Sequence, residues 1–251
     1  DRDFMHILLS NDDGVYSPGI RILYDYLSRY HKVSMIAPDR DLSAASNSLT
    51  VNRPIRIQEI ENGFISVEGT PTDCVHLALS ELMKDSKPDL VIAGINAGSN
   101  LGDDVFYSGT VAAATEGYFF GVPSIAISQS GPPKEDTLVR TADYFTKFLG
   151  DNLDNILEQD TILNINFPSG DIKGIDVTRL GARHRISKMI KENDPRGKEI
   201  YWVGPVSPEN DAGPGTDFYS INQSNVSVTP LQMDLTRYNA LDDIAKWVVK
   251  K

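Results

Sequence analysis

Ile7-Leu8-Leu9-Ser10-Asn11-Asp12-Asp13-Gly14 is a short apolar run that stops at two adjacent carboxylates and a glycine. The run reads as a buried strand, and Asn-Asp-Asp-Gly as the turn that leaves it. In a parallel α/β sheet, ligands bind beyond the carboxyl ends of the strands. Neighbouring side chains on a regular strand face opposite ways, so Asp12 and Asp13 can converge only if the chain turns there. Asn11 and Gly14 permit that turn. Adjacent carboxylates repel each other, and a hard divalent cation is the simplest relief. The same residues can also just cap a turn, so the residue types leave both readings open.

Strand-like and helix-like patterns alternate on both sides of this stretch. Ser17-Pro18-Gly19 offers an N-cap serine and a proline at the first helical position, and Ile20, Leu23, Tyr24, Leu27 and Tyr30 follow at helical spacing. Val33–Ala37 predicts a second strand, followed by a polar loop over Asp41–Ser48. Short strands are expected near Leu49–Val51, Ile55–Ile57 and Phe64–Val67. Thr72–Leu82 predicts a helix, capped by Thr72 or Asp73. Leu90–Ala93 and Ser124–Ile127 read as buried strands, and Thr110–Phe120 and Thr137–Leu149 as helices. This alternation predicts an α/β fold whose mostly parallel sheet is covered on both faces. After about Asp160 the pattern becomes β-rich, with strands at Ile162–Phe167, Ile175–Leu180, Glu199–Val203 and Val226–Val228 and a last helix at Leu241–Val249. Residues 5–160 therefore form the core. Residues 161–251 are either a β-richer lobe with oligomerisation arms or a continuation of the same sheet.

Composition narrows the functional classes. A net charge of -11 argues against charge-driven nucleic-acid binding. No apolar run is long enough to span a bilayer, and no secretory leader opens the chain. One cysteine, Cys74, excludes an internal disulfide and suits a reducing cytoplasm. Asp1-Arg2-Asp3-Phe4 precedes a plausible start at Met5.

Further candidate residues follow other strand ends. Ser43-Ala44-Ala45-Ser46-Asn47-Ser48 can bring a neutral hydroxyl ligand, or is an ordinary polar loop. Gly94-Ile95-Asn96-Ala97-Gly98 lets backbone approach a ligand, and the Asn96 amide oxygen suits a hard metal. It is neither a dinucleotide fingerprint nor a Walker loop. Ser108-Gly109-Thr110 opens a helix with hydroxyls and free N–H groups, an arrangement that caps the helix or binds phosphate. His6, His31, His76 and His184 form no zinc-spaced pair. His184 lies among basic residues that can meet a phosphate or be a solvated loop. An all-oxygen ligand set prefers magnesium or manganese, and such a metal would lower the pKa of a water for attack on phosphorus.

Eight segments occur in order along the chain. They are Leu9–Gly14, Ala37–Arg40, Ser43–Ser48, Gly69–Cys74, Gly94–Gly98, Tyr107–Thr110, Asp194–Gly197 and Asp211–Asp217. Together they resemble the SurE (stationary-phase survival protein) family of metal-dependent 5′-nucleotidases. The resemblance implies a Rossmann-like three-layer α/β/α sandwich with a β-hairpin-rich C-terminal part. It implies Asp12, Asp13, Ser43 and Asn96 as ligands of one divalent metal, Mg²⁺ or Mn²⁺, per subunit, with Asp12 and Asp13 catalytic. Asn96, Ser108, Gly109 and Thr110 would bind the substrate. The implied partners are nucleoside monophosphates and a homodimer or homotetramer, without stable nucleic-acid or membrane partners. Activity on 3′-nucleotides and short polyphosphate comes with the same resemblance. Tyr16-Ser17 and Ser99 depart locally from some relatives without touching a ligand position. Two competing readings are a haloacid-dehalogenase-type phosphatase, for which Asn11 stands where the nucleophile would be, and a nucleotide sensor without turnover.

Overall fold

A computed structural model describes residues 4–183 and 188–249. His184 lies outside them. The chain runs β1 (His6–Ser10), α1 (Pro18–Leu27), β2 (Lys32–Pro38), β3 (Ile57–Glu59), β4 (Ile65–Val67), α2 (Pro71–Leu77), β5 (Leu90–Ala97), α3 (Gly109–Phe119), β6 (Ser124–Gln129), α4 (Glu135–Leu157) and β7 (Ile162–Phe167). It continues through β8 (Gly174–Val177), β9 (Met189–Asn193), β10 (Glu199–Val203), α5 (Asp217–Asn222), β11 (Asn225–Leu231) and α6 (Leu241–Val248). Among the described residues the main sheet has nine strands, ordered β3-β4-β2-β1-β5-β6-β7-β11-β8. From β4 to β7 every neighbouring pair is parallel. Strands β11 on β7 and β3 on β4 are antiparallel.

Alternation sorts the apolar residues of each central strand to two sides. Ile7, Leu9, Ile92, Ile125 and Ile127 pack under α1 and α4 with Ile20, Leu23 and Phe145. Leu8, Val91, Ala93 and Ala126 pack on the other side with Val75, Val111 and Ala113 of α2 and α3. The result is a three-layer α/β/α sandwich, buried on both faces as its continuous apolar strands require. Strand β1 lies between β2 and β5 in parallel register, Leu9 beside Met35 and Ser10 beside Ala93. The chain leaves β1 toward β2 on one side, while β5 leads away to β6 on the other. That reversal places the loops after β1, β2 and β5 around one crevice.

Several local expectations change. Leu49–Val51 is not a strand: Val51 is exposed, and the Thr50 N–H and hydroxyl bond the Asp73 carboxylate instead of a neighbouring strand. Thr70, not Thr72 or Asp73, caps α2; Asp73 closes the capping box by accepting from the Thr70 N–H. Ser17 occupies the N-cap of α1, but its hydroxyl accepts from Asn11 Nδ2 rather than from the helix. Strand β9 and helix α5 escape the sequence pattern. Strand β9 is exposed on both faces, so it carries no apolar period, and it gains its hydrogen bonds from β10 across a short hairpin. The C-terminal portion both extends the main sheet, through β8 and β11, and projects the β9–β10 hairpin.

Candidate active site

The turn after β1 is built by Asn11. Its Oδ1 accepts from the Gly14 N–H, and its Nδ2 donates to Gly14 O and Ser17 Oγ. This buried amide is fully used in shaping the turn, so it does not serve as a phosphate-accepting nucleophile. Gly14 adopts φ +97°, a left-handed conformation that favours glycine.

The turn brings Asp12 and Asp13 to the same crevice. Asp12 is buried, accepts a short hydrogen bond from the Thr110 hydroxyl, and receives the Leu42 N–H on its carbonyl at 2.8 Å. Asp13 accepts from the Ala97 N–H at 3.0 Å. Pairing between β5 and β6 shifts register between Ala93 and Asn96, which re-aims the end of β5. Asn96 donates through Nδ2 to Gly98 O at 2.8 Å, leaving Oδ1 as an acceptor. Ser43 is exposed, and both its N–H and its hydroxyl bond Asp41 Oδ1. Ser46 ties this loop to the α3 entrance through Phe106 O and Tyr107 O.

Asp12, Ser43, Asn96, Asn100, Asp104 and Ser108 line one cleft of about 330 Å³. Asp13 stands beside it through Ala97. At the N-terminus of α3, Ser108 caps by accepting from the Val111 N–H at 3.0 Å. The Gly109 and Thr110 N–H groups precede the first intrahelical bonds, as in any helix start. The Thr110 side chain is fully buried and directed at Asp12. Gly109 packs so close that a Cβ there would stand 2.7 Å from Asp12 Cβ.

Electrostatics set this carboxylate pair apart. Burial, with the charges of Asp13 and Asp41 adding to it and the Thr110 bond opposing, lifts the Asp12 pKa to about 6. Burial and Asp41 also raise Asp13, against the Ala97 N–H. Among the described residues neither has an ion-pair partner, and no group of three or more His, Cys, Asp or Glu side chains is placed to hold a metal. A buried and a half-buried carboxylate, flanked by an amide oxygen and a hydroxyl, are a hard-oxygen donor set that fits a divalent ion.

Between 3.8 and about 6 the folded metal-free protein holds a proton on Asp12 that the unfolded chain has lost. Stability from this group is therefore full below 3.8 and is lost as pH rises through 6, by roughly 3 kcal/mol in all. Thermal melts in chelator should fall by several degrees across this window relative to Asp12→Asn, and manganese at pH 7 should restore the loss. Identical pH slopes for both proteins would refute the assignment.

Residues 7–187 match the protein family described as Survival protein SurE. The chain belongs to the SurE family. Over 249 residues it is 55% identical to the 5′-nucleotidase SurE of Methylococcus capsulatus, covering 97% of this chain and 98% of that one. The 5′-nucleotidase SurE of a Vibrio cholerae serotype O1 El Tor strain is 52% identical over 250 residues, covering 98% and 99%. The crystal structure of the SurE protein from Aquifex aeolicus superposes with a TM-score of 0.84 at 41% identity, covering 96% of this chain and 98% of that chain.

Within this SurE chain, sequence reasoning missed Asn100 and its support. Asn100 donates through its N–H to Asn166 Oδ1 at 2.8 Å and through Nδ2 to Ser128 Oγ at 2.7 Å. Its carbonyl accepts from both Asn164 and Asn166. The available signal was Asn164-Ile165-Asn166 inside an otherwise apolar strand. Two buried amides at strand spacing need partners, and the cleft loop supplies them to both Nδ2 groups and to Asn166 Oδ1, while Asn164 Oδ1 has none among the described residues.

Proposed function

We propose that this chain is a metal-dependent 5′-nucleotidase that releases phosphate from nucleoside 5′-monophosphates. The observation that carries the reading is the Asp12–Asp13 turn, with Asp12 buried against the N-terminus of α3. The names of the Methylococcus and Vibrio relatives support the same activity. In this reading Asp12, Asp13, Ser43 and Asn96 hold one Mg²⁺ or Mn²⁺. The metal supplies positive charge against the phosphoryl oxygens and makes an attacking water more acidic.

The chain's own residues do the rest. Ser108 Oγ and the N–H groups of Gly109 and Thr110 orient the phosphate, aided by the helix dipole. The Thr110 hydroxyl orients Asp12, so its contribution to the phosphate is the backbone N–H. Asn96 would offer its Oδ1 to the metal and lie beside the phosphate. One of the two aspartates accepts the proton of the water. Nucleoside 3′-monophosphates and short polyphosphate are further candidate substrates of the same phosphate site. Assembly into a homodimer or homotetramer is supported by α6, whose Leu241, Ile244 and Trp247 are exposed. No helix among the described residues is long and apolar enough to cross a membrane. We place the enzyme in the cytoplasm, in keeping with its single, buried, unpaired cysteine.

The test is phosphate release from a panel of nucleoside 5′- and 3′-monophosphates and tripolyphosphate with magnesium, manganese or chelator. We expect metal-dependent release, highest with 5′-monophosphates. Tight nucleotide binding without release under either metal would instead make this a sensor.

A further inference from the structure

The Asp211–Asp217 motif contributes no side chain to the cleft, yet it ends in a carboxylate that is fully buried. Asp217 Oδ2 accepts from the Gly102 N–H at 2.7 Å. Its Oδ1 accepts from the N–H groups of Gly181 at 2.8 Å and Phe218 at 2.9 Å. Among the described residues it takes part in no ion pair, so backbone donors alone compensate its burial. A fully buried charge whose two distant partners, Gly102 and Gly181, are backbone N–H groups is costly unless the geometry it fixes matters.

The contacts around it show what is fixed. The buried Phe218 ring fills the space beside two glycines. A Cβ on Gly102 would stand 2.6 Å from Phe218 Cε2, and one on Gly181 2.5 Å from Cδ2. The Arg183 guanidinium lies 4.9 Å from the centre of the same ring. Arg183 then reaches the cleft side, its N–H bonding Asp103 Oδ1 at 2.8 Å and its Nη1 meeting Asp104 Oδ2 at 3.3 Å. Gly102 begins the 3₁₀ turn Gly102–Phe106, which runs directly into Tyr107 and the α3 cap Ser108. Asp104, Tyr107 and Ser108 all line the cleft.

We propose that Asp217 is a positioning residue for the nucleotide cleft. Its carboxylate, carried by the C-terminal part of the chain, fixes Gly102 and with it the turn that delivers Asp104, Tyr107 and Ser108 to the cleft wall. Asn96 is held by its own bond to Gly98, and Asp12 meets this wall only through the Thr110 hydroxyl, beyond the α3 cap, so the metal-binding end depends on Asp217 less than the phosphate end does. The activity part of this claim rests on the nucleotidase reading above.

Asp217→Asn tests it. The amide keeps one acceptor oxygen and replaces the other by a donor, so it cannot serve Gly102 and Gly181 together. Ser220→Ala, on the same helix as Asp217, is the control: it removes the bond from Ser220 Oγ to Asp176 of β8 and leaves Gly102 alone. Four quantities are measured: melting temperature, manganese affinity by calorimetry, inhibition by inorganic phosphate, and kcat/KM with a nucleoside 5′-monophosphate. For Asp217→Asn we expect phosphate inhibition and kcat/KM to weaken roughly 10- to 100-fold, with a smaller change in manganese affinity. Ser220→Ala should lower the melting temperature while keeping both wild-type values in the folded protein. Wild-type phosphate inhibition in Asp217→Asn would overturn the proposal, as would equal activity losses in both variants at equal loss of stability. If the wild type releases no phosphate, the nucleotidase reading falls. The positioning role is then judged on phosphate binding to the manganese-loaded protein, with the same two outcomes.

Discussion

Asp12→Asn should lower metal-dependent phosphate release by about 10³-fold or more, while the metal-free protein becomes more heat-stable at neutral pH. The two effects share one cause. At pH 7 the Asp12 carboxylate is ionised, buried, and beside Asp13 and Asp41, a state that costs folding free energy. An amide of the same shape removes that charge and still accepts the Thr110 hydroxyl bond. It also removes half of the charge that a divalent ion would meet in the Asp12–Asp13 pair. Lost activity alone would also follow from simple misfolding. Lost activity with a raised melting temperature in chelator would not, because it identifies a group kept for its charge at the expense of stability. Measured release within about ten-fold of wild type would refute Asp12 as a metal ligand.

Gly109→Ala is expected to have the second-largest effect, a loss of roughly 10²-fold in kcat/KM with weaker manganese binding. The added methyl would lie 2.7 Å from Asp12 Cβ, 3.0 Å from Asp12 Oδ2 and 3.1 Å from Pro71 Cγ. Asp12 sits in the turn just past β1, buried and with its carbonyl held by the Leu42 N–H, so it has little room to retreat. The start of α3 must therefore move away from β1, and the Gly109 and Thr110 N–H groups move with it. Alanine is otherwise a good helix residue, so intrinsic helix propensity predicts no loss. The far-UV spectrum should stay unchanged while calorimetry shows reduced manganese affinity. Unaltered metal binding and turnover would mean that the contact relaxes without cost, and that α3 is not held against Asp12.

Much of this architecture was legible one segment at a time. Ile7–Leu9, Leu90–Ala93 and Ser124–Ile127 are apolar, bounded and short, and each is a central strand. Ser108-Gly109-Thr110 announced a helix start, and Ser108 is its cap. Leu49–Val51 looked like a strand because β-branched and apolar residues alternate there. It is not one, because Asp73 offers its backbone a partner 23 positions away. Strand β9, with Lys191, Glu192 and Asn193 among its five residues, showed no apolar period because neither of its faces is buried. Asp217 read as the end of a turn motif, and only Gly102 and Gly181, 115 and 36 positions earlier, give its carboxylate a purpose.

The sequence by itself determined the layered α/β class, the sites of the turns and the residue types able to hold a metal and a phosphate. Those depend on side-chain period and turn chemistry, which act between near neighbours in the chain. The tertiary structure alone decided that β1 lies between β2 and β5, that a register shift before Asn96 re-aims the end of β5, and that Thr110 orients Asp12 across 98 positions. It also decided that the C-terminal part would brace the cleft through Asp217. These are matters of strand pairing and burial. Their free energy comes from groups that meet only after the chain has closed long loops, so no local window contains both partners.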